Sequence, residues 1–292
     1  MPILGIIASA FKQTNSTTIV VAHNTSPAIS AYPWSNSSGF GTKYANPASV
    51  PIVSEAVAFS PSGADIAVAG QTTPFVFAYP WSDSTGFGTK YADPATLPTG
   101  RGRSVSFNPA SNVLVVGHEI TPFVSAYPWS AGFGTKYANA ATLVTGIGQG
   151  VAFSPSGADI AIAHLTSPQV SVYPWSSGFG TKYANPATLP TSTGNGVSWS
   201  PSGADIAVAH TSSPFISTYP WSSGFGTKYA NPATLPTGTG NSVAFSSAGI
   251  NIALAHAVTP FISAYPWSSG FGTKYSNPAT LPVDAGQGVD FN

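Results

Sequence analysis

Along the chain, apolar runs of four to eight residues alternate with clusters of Pro, Gly, Ser, Thr and Asn. No run approaches the roughly 18 apolar residues of a membrane helix. The stretch 197–236, VSWSPSGADIAVAHTSSPFISTYPWSSGFGTKYANPATLP, shows the pattern in full. Val197 to Ser200 reads as a first strand, closed by the turn Ser200-Pro201-Ser202-Gly203, in which Pro presets φ and Gly can take a positive φ. Ile206 to His210 reads as a second strand. Pro214 to Trp221 reads as a third, with Phe215, Ser217, Tyr219 and Trp221 on one face. Phe225 to Ala230 reads as a fourth, and NPATLPTGTG links to the next unit.

This unit recurs. The motif YPW begins at Tyr32, Tyr79, Tyr127, Tyr173, Tyr219 and Tyr265, at offsets of 47, 48, 46, 46 and 46 residues. GFGTKY follows every copy. Four antiparallel strands repeated at such a period predict an all-β protein, a six-bladed β-propeller with a repeat of about 46 residues. Helical solenoids would need apolar residues at i, i+3, i+4 and i+7, and these segments alternate and are broken by Pro. The blades fall near 4–52, 53–100, 101–147, 148–193, 194–239 and 240–285, forming one domain, with 286–292 as a closing tail.

Large residues on the third strand and small ones such as Ala58, Ala152 and Ala244 on the first predict large-against-small packing between neighbouring blades. Residues Ile6 to Phe11 look like the first strand of blade one, and Gly288 to Asn292 repeat that strand once more. The tail is expected either to pair with blade one or to reach another molecule, and a ring that protects its sheet edges favours the former.

The segment FSPSGADIAIAH at 153–164, with near copies at 59–70 and 199–210, resembles the SPDG-type turn and following strand of WD-repeat and YVTN-like propellers. The fuller pattern, with SPFIS, an aromatic strand and NPATLPTG, resembles repetitive propellers of tailed bacteriophages and some bacteria. That resemblance covers essentially the whole chain and implies a virion-associated protein on capsid or tail. YPW stands where Trp-Asp would be and no Gly-His precedes the first strands, so the WD hydrogen-bonded tetrad is not carried over.

Composition narrows the partners. Nine Lys plus Arg balance nine Asp plus Glu, and only 6% of residues are charged, against roughly 25% in an ordinary domain. Such a chain has no basic cluster for nucleic acid and no polybasic patch for a membrane, so neither nucleic-acid binding nor membrane insertion is expected. The absence of Cys removes disulfides and thiolate chemistry. The start, MPILGIIASAF, has no basic residue before its apolar stretch and reads as a strand rather than a secretory signal.

Recurrent side chains supply the candidate chemistry. Trp34, Trp81, Trp129, Trp175, Trp221 and Trp267 are either inter-blade core or exposed platforms on which sugars could stack. Lys43, Lys90, Lys136, Lys182, Lys228 and Lys274 are either a solvated rim, partly neutralised by Asp65, Asp159 and Asp205, or a ring of cationic contacts to an acidic glycan or a protein. His23, His118, His164, His210 and His256 end the second strands, with Gly70 in the sixth place. One imidazole per blade without a nearby second ligand points to hydrogen bonding with a Ser or Thr of its own loop rather than to a metal. Residues preceding the first strands read Glu55, Arg103, Gln149, Asn195, Asn241 and Gln287, one acid and one base among amides, with no acid pair and no Ser/His/Asp spacing. TGTGNS at 237–242 lies in a linker and is no phosphate loop. Gly70, Arg101 and Arg103 are departures from the repeat and mark a candidate docking edge.

Sequence reading therefore expects a non-enzymatic structural or adhesion protein without cofactor or metal, a virion component that docks on an assembly protein and presents loops to a host-surface glycan. The alternative is a soluble multivalent carbohydrate-binding lectin. A lactonase or hydrolase using the axial channel is a third reading.

Overall fold

A computed structural model describes residues 18–35 and 37–291. Six antiparallel sheets follow one another along the chain, and no helix occurs among the described residues. The first holds β1 (Thr18–Ala22), β2 (Ile29–Ser35) and β3 (Gly39–Phe40); the second holds β4 (Ser54–Phe59), β5 (Asp65–Gly70), β6 (Val76–Ser82) and β7 (Gly86–Phe87). The third to sixth each hold three strands: β8 (Gly102–Phe107), β9 (Val113–His118) and β10 (Val124–Pro128); β11 (Gly148–Phe153), β12 (Asp159–His164) and β13 (Val170–Pro174); β14 (Gly194–Trp199), β15 (Asp205–His210) and β16 (Ile216–Pro220); β17 (Gly240–Phe245), β18 (Asn251–His256) and β19 (Ile262–Pro266). The strands β4, β8, β11, β14 and β17 pack side by side in chain order. This is the six-bladed propeller that the repeat predicts. The expected first strand at Ile6 to Phe11 lies outside the described residues.

The fourth strand is shorter than expected. It is two residues long in the first two blades and a single bridge in the others, Trp129 to Phe133, Trp175 to Phe179, Trp221 to Phe225 and Trp267 to Phe271. The reason is the Pro of YPW. The carbonyl of Pro128 accepts from Gly134 N (2.8 Å) and that of Ala126 from Tyr137 N (2.9 Å), so this side of the third strand faces outward and Pro128 has no proton to give it. The third strand also starts late. A cis proline opens it in every blade, and the next residue is left-handed, as at Phe75 (φ 69°), Phe123 (φ 67°) and Phe215 (φ 68°). Phe215 therefore leaves the predicted alternation.

Blade faces pack large against small as expected. Ala56, Ala58, Ala67, Ala69 and Ala78 of blade two meet Phe107, Leu114, Val116, Tyr127 and Trp129 of blade three in one buried cluster. The tryptophans sit in these seams. Trp129 lies edge-on to Tyr91 of blade two (centroids 5.3 Å) and to Phe107 and Phe133 of its own blade (5.4 and 5.1 Å).

A carboxylate ties the seam. Asp205 of blade five accepts from Tyr229 Oη of the same blade at 2.8 Å and from Trp267 Nε1 of blade six at 3.1 Å. Asp65 does the same with Tyr91 and Trp129, and Asp159 with Tyr183 and Trp221. Asp65 and Asp205 are buried, so the expectation that Asp65, Asp159 and Asp205 neutralise a lysine rim is corrected. In blade one Thr18 stands at this position, and the carboxylate comes instead from Asp83 of blade two, which accepts from Thr18 Oγ1 and Trp81 Nε1, both at 2.8 Å. In blade three the position is Val113.

The histidines follow a second repeated pattern. His118, His164, His210 and His256 are fully buried, each with Nε2 at 3.0 Å from a serine Oγ: Ser125, Ser171, Ser217 and Ser263. The partner lies on the third strand rather than in the loop. Burial pushes His118, His164 and His210 down to about 4. Blade two replaces the whole arrangement: Gly70 stands for His, Phe77 for Ser and Pro51 for the Thr at 99, 145, 191 and 237. A Cβ on Gly70 would lie 2.9 Å from the Phe77 ring and 3.4 Å from Pro51, so the ring fills the room of the missing imidazole.

Candidate axial site

In blades two to six the first strand carries a β-bulge near its start. Register shifts between Ser54 and Ala56, Gly102 and Ser104, Gly148 and Gly150, Gly194 and Gly196, and Gly240 and Ser242. The extra residue is Glu55, Arg103, Gln149, Asn195 or Asn241, and a bulge turns such a side chain out of the ladder. It reaches toward the next blade. Asn195 Nδ2 donates to the Gly240 carbonyl at 2.9 Å and Asn241 Nδ2 to that of Gly286 at 2.8 Å.

Between blades two and three, charges replace these amides. The Glu55 carboxylate is fully enclosed and accepts from Arg101 Nε at 2.8 Å, from Arg101 Nη2 and from Gln71 Nε2. Arg103 Nη1 lies 3.7 Å from the other Glu55 oxygen, and Arg103 Nη2 donates to Glu119, whose Oε1 is also 3.8 Å from Arg101 Nη1. Backbone bonds brace the group: Glu119 N donates to the Arg101 carbonyl and Gln71 N to that of Val53, both at 3.1 Å. Glu55 Oε2 and Arg103 Nε are buried without a hydrogen-bond partner.

The cluster is graded in access. Glu55 is closed off, while Arg101 and Glu119 keep 28% and 29% of their side-chain surface open. The surface left open to a ligand is therefore chiefly that of Arg101 and Glu119, with Arg103 mostly enclosed between the two carboxylates. Such a set can grip an anion and can take a proton. Burying a carboxylate with arginines contributes little net stability, because desolvation offsets the attraction, so its presence in a chain with only 6% charged residues calls for another reason.

Several sequence-predicted sites are relocated. Trp81, Trp129, Trp175, Trp221 and Trp267 are buried in the seams and Trp34 is half-buried, so none of the six offers an open platform. Lys43, Lys90, Lys136, Lys182, Lys228 and Lys274 each donate to the residue three places on, Asn46, Asp93, Asn139, Asn185, Asn231 and Asn277, which ties each cation into its own loop. Of the three candidate docking-edge residues, Gly70 is interior, and Arg101 and Arg103 pair with Glu55 and Glu119 at the seam of blades two and three. Glu119 and Gln71 escaped sequence reading. The signal was available: both directly follow the position that ends the second strand, where other blades have Leu165, Thr211 and Ala257.

No protein-family model and no curated protein matches the chain. Solved structures do match. A "putative 6-phosphogluconolactonase" from Bacteroides fragilis NCTC 9343 superposes with a TM-score of 0.70 at 12% identity, covering 95% of this chain and 85% of that one. A second, from Bacteroides uniformis ATCC 8492, gives 0.65 at 16% identity, covering 92% and 83%. A functionally unknown protein from Desulfotomaculum acetoxidans DSM 771 gives 0.67 at 10% identity, covering 92% and 84%. At these identities the likeness establishes the fold. It also corrects the expectation of a non-enzymatic virion or adhesion component with a lectin as alternative: two of these three neighbours bear an enzyme's name, and none bears a virion or lectin name. Sequence spacing leaves Glu55 and Arg103 as one acid and one base, and the fold adds Glu119 and Arg101 to them. Among the described residues, no helix is long and apolar enough to cross a membrane.

Proposed function

We propose that the chain is a hydrolase acting on an anionic sugar lactone, with its reactive groups at the axial seam of blades two and three. The observation that carries this reading is the enclosed Glu55 carboxylate held between Arg101 and Arg103, with Glu119 open beside them. The names of the two Bacteroides neighbours agree with it. In this mechanism Arg101 and Arg103 hold the anionic group and face the carbonyl oxygen as it gains charge. Glu119 accepts a proton from water as the water oxygen adds to the carbonyl carbon. The ring C–O bond then breaks and that proton passes to the departing oxygen, giving the open hydroxy acid. Glu55 is a positioning residue that fixes both guanidinium groups.

The test is pH-stat measurement of acid release from glucono-δ-lactone and its 6-phosphate. Hydrolysis above the spontaneous rate is expected, with Glu119→Gln lowering kcat about 100-fold or more and the phosphorylated lactone preferred. A wild-type rate equal to the spontaneous one, or an unaltered Glu119→Gln, overturns the reading.

A further inference from the structure

We propose that Ile147 and Leu165 of blade four form an apolar subsite beside Glu119, and that the ligand of the axial mouth carries an alkyl or acyl group next to its anionic one. The inference rests on the reading above for the anion-binding part of Arg101 and needs none of the catalytic steps.

One backbone bond sets equivalent residues at the mouth in successive blades. The residue that follows the second strand donates to the carbonyl of the residue that precedes the first: Glu119 to Arg101 at 3.1 Å, Leu165 to Ile147 and Thr211 to Thr193, both at 3.2 Å. The pair is charged in blade three, apolar in blade four and hydroxylic in blade five. Blades two and six mix kinds, Val53 with Gln71 and Thr239 with Ala257. Among blades two to six, blade four alone is therefore apolar at both places.

The residue before the first strand also reaches back to the preceding blade. Thr193 Oγ1 donates to the Leu165 carbonyl at 3.1 Å and Thr239 Oγ1 to that of Thr211 at 3.2 Å. Ile147 holds the same place in blade four, and β11 packs along β8, so its side chain lies against the backbone of Glu119. Leu165 keeps 40% of its surface open and Ile147 is half-buried. From blade three itself, Arg101 Nη1 stands 3.8 Å from Glu119 Oε1. The open carboxylate thus has a guanidinium on one flank and hydrocarbon on the other.

Isolated exposed leucines need no explanation. Hydrocarbon against a charged pair is different, because it takes hydration from Glu119 and Arg101 and gains nothing until an apolar group covers it. Threonine fills both places in blade five, so the repeat does not require hydrocarbon there. A ligand with its anion on Arg101 and an alkyl chain running onto blade four covers Leu165 and pairs the guanidinium in one step.

The probes are unbranched carboxylates from butanoate to octanoate, titrated calorimetrically into the full chain. Affinity is expected to rise about two- to fourfold per methylene. In Ile147→Thr/Leu165→Thr, which installs the blade-five pair, butanoate should bind as before and the rise should vanish. Arg101→Leu should instead weaken every member by a similar factor. Absence of binding, affinity independent of chain length, or a rise that persists in the double variant overturns the proposal. Should the double variant not fold, Leu165→Thr alone serves, since its side chain is exposed: a shallower rise supports the subsite and an unchanged one overturns it. Chain-length dependence without lactone hydrolysis would leave the subsite standing and remove the hydrolase reading, and hydrolysis without chain-length dependence would do the reverse.

Discussion

Replacing Asp205 by Val, the residue that blade three already carries at position 113, removes one seam carboxylate and leaves its donors in place. Two hydrogen bonds disappear, from Tyr229 Oη at 2.8 Å and Trp267 Nε1 at 3.1 Å. Bonds to a charged group contribute about 1.5 to 3 kcal/mol each, a gross loss of about 3 to 6 kcal/mol. Relief of carboxylate desolvation and burial of the valine methyls return about 1 to 3 kcal/mol. The net expectation is a destabilisation of about 2 to 3 kcal/mol. Urea denaturation followed by tryptophan fluorescence should show a lower midpoint with unchanged slope. A double-mutant cycle with Tyr229→Phe should return a coupling of about 1 kcal/mol or more. A midpoint shift worth under about 0.5 kcal/mol, or zero coupling, would show that these contacts do not hold the seam. The reverse change, Val113→Asp, should supply an acceptor beside Tyr137 and Trp175, which already meet edge-on at 5.2 Å, and raise stability by about 1 to 2 kcal/mol.

Acid should unfold the disc through its histidines. His118, His164 and His210 are held at about 4 in the folded chain against 6.5 when free, so the unfolded chain binds more protons between these values and stability falls as pH drops from 6.5 to 4. Each contributes about 3 kcal/mol across that window, and His210→Gln should move the acid midpoint of a circular-dichroism titration downward. Gly70→His should destabilise by more than about 3 kcal/mol, since it drives a side chain into the Phe77 ring. Adding Phe77→Ser and Pro51→Thr should recover most of that loss in thermal melts. Arg103→Met should cost about 1 to 3 kcal/mol in urea midpoint, since it removes the guanidinium 3.7 Å from the buried Glu55 oxygen while Arg101 and Gln71 still hydrogen-bond the carboxylate. An Arg103→Met protein as stable as the parent would mean that water reaches the cluster.

Much of the architecture was legible because duplication writes it six times. The YPW period, the SPSG turn and the second-strand histidines each located an element within two or three residues. What stayed hidden was what strand pairing decides. The imide of Pro128 faces the outer edge only because of register, and that stops the fourth strand. Phe215 reads as part of an alternating run, whereas its backbone is left-handed at φ 68° and leaves that alternation. The axial cluster was half visible, since Glu55 and Arg103 align by period, whereas Glu119 joins them through a neighbouring loop. In sequence Asp205 reads as neutralising a lysine rim, because its acceptor role depends on a tryptophan 62 positions away.

The unequal supply of seam carboxylates bears on how such a gene can change. Near-identical repeats invite unequal crossing-over, which deletes or doubles whole blades without regard to their chemistry. A copy of blade five carries Asp205 for whatever blade lands after it. A copy of blade three carries Val113, and so would hand its deficit to any new neighbour. Blade two brings acids for both of its seams, Asp83 behind and Asp65 ahead. Recombinants that duplicate blade two should therefore survive selection for folding more often than those that duplicate blade three, and the order of blades is itself an inherited constraint.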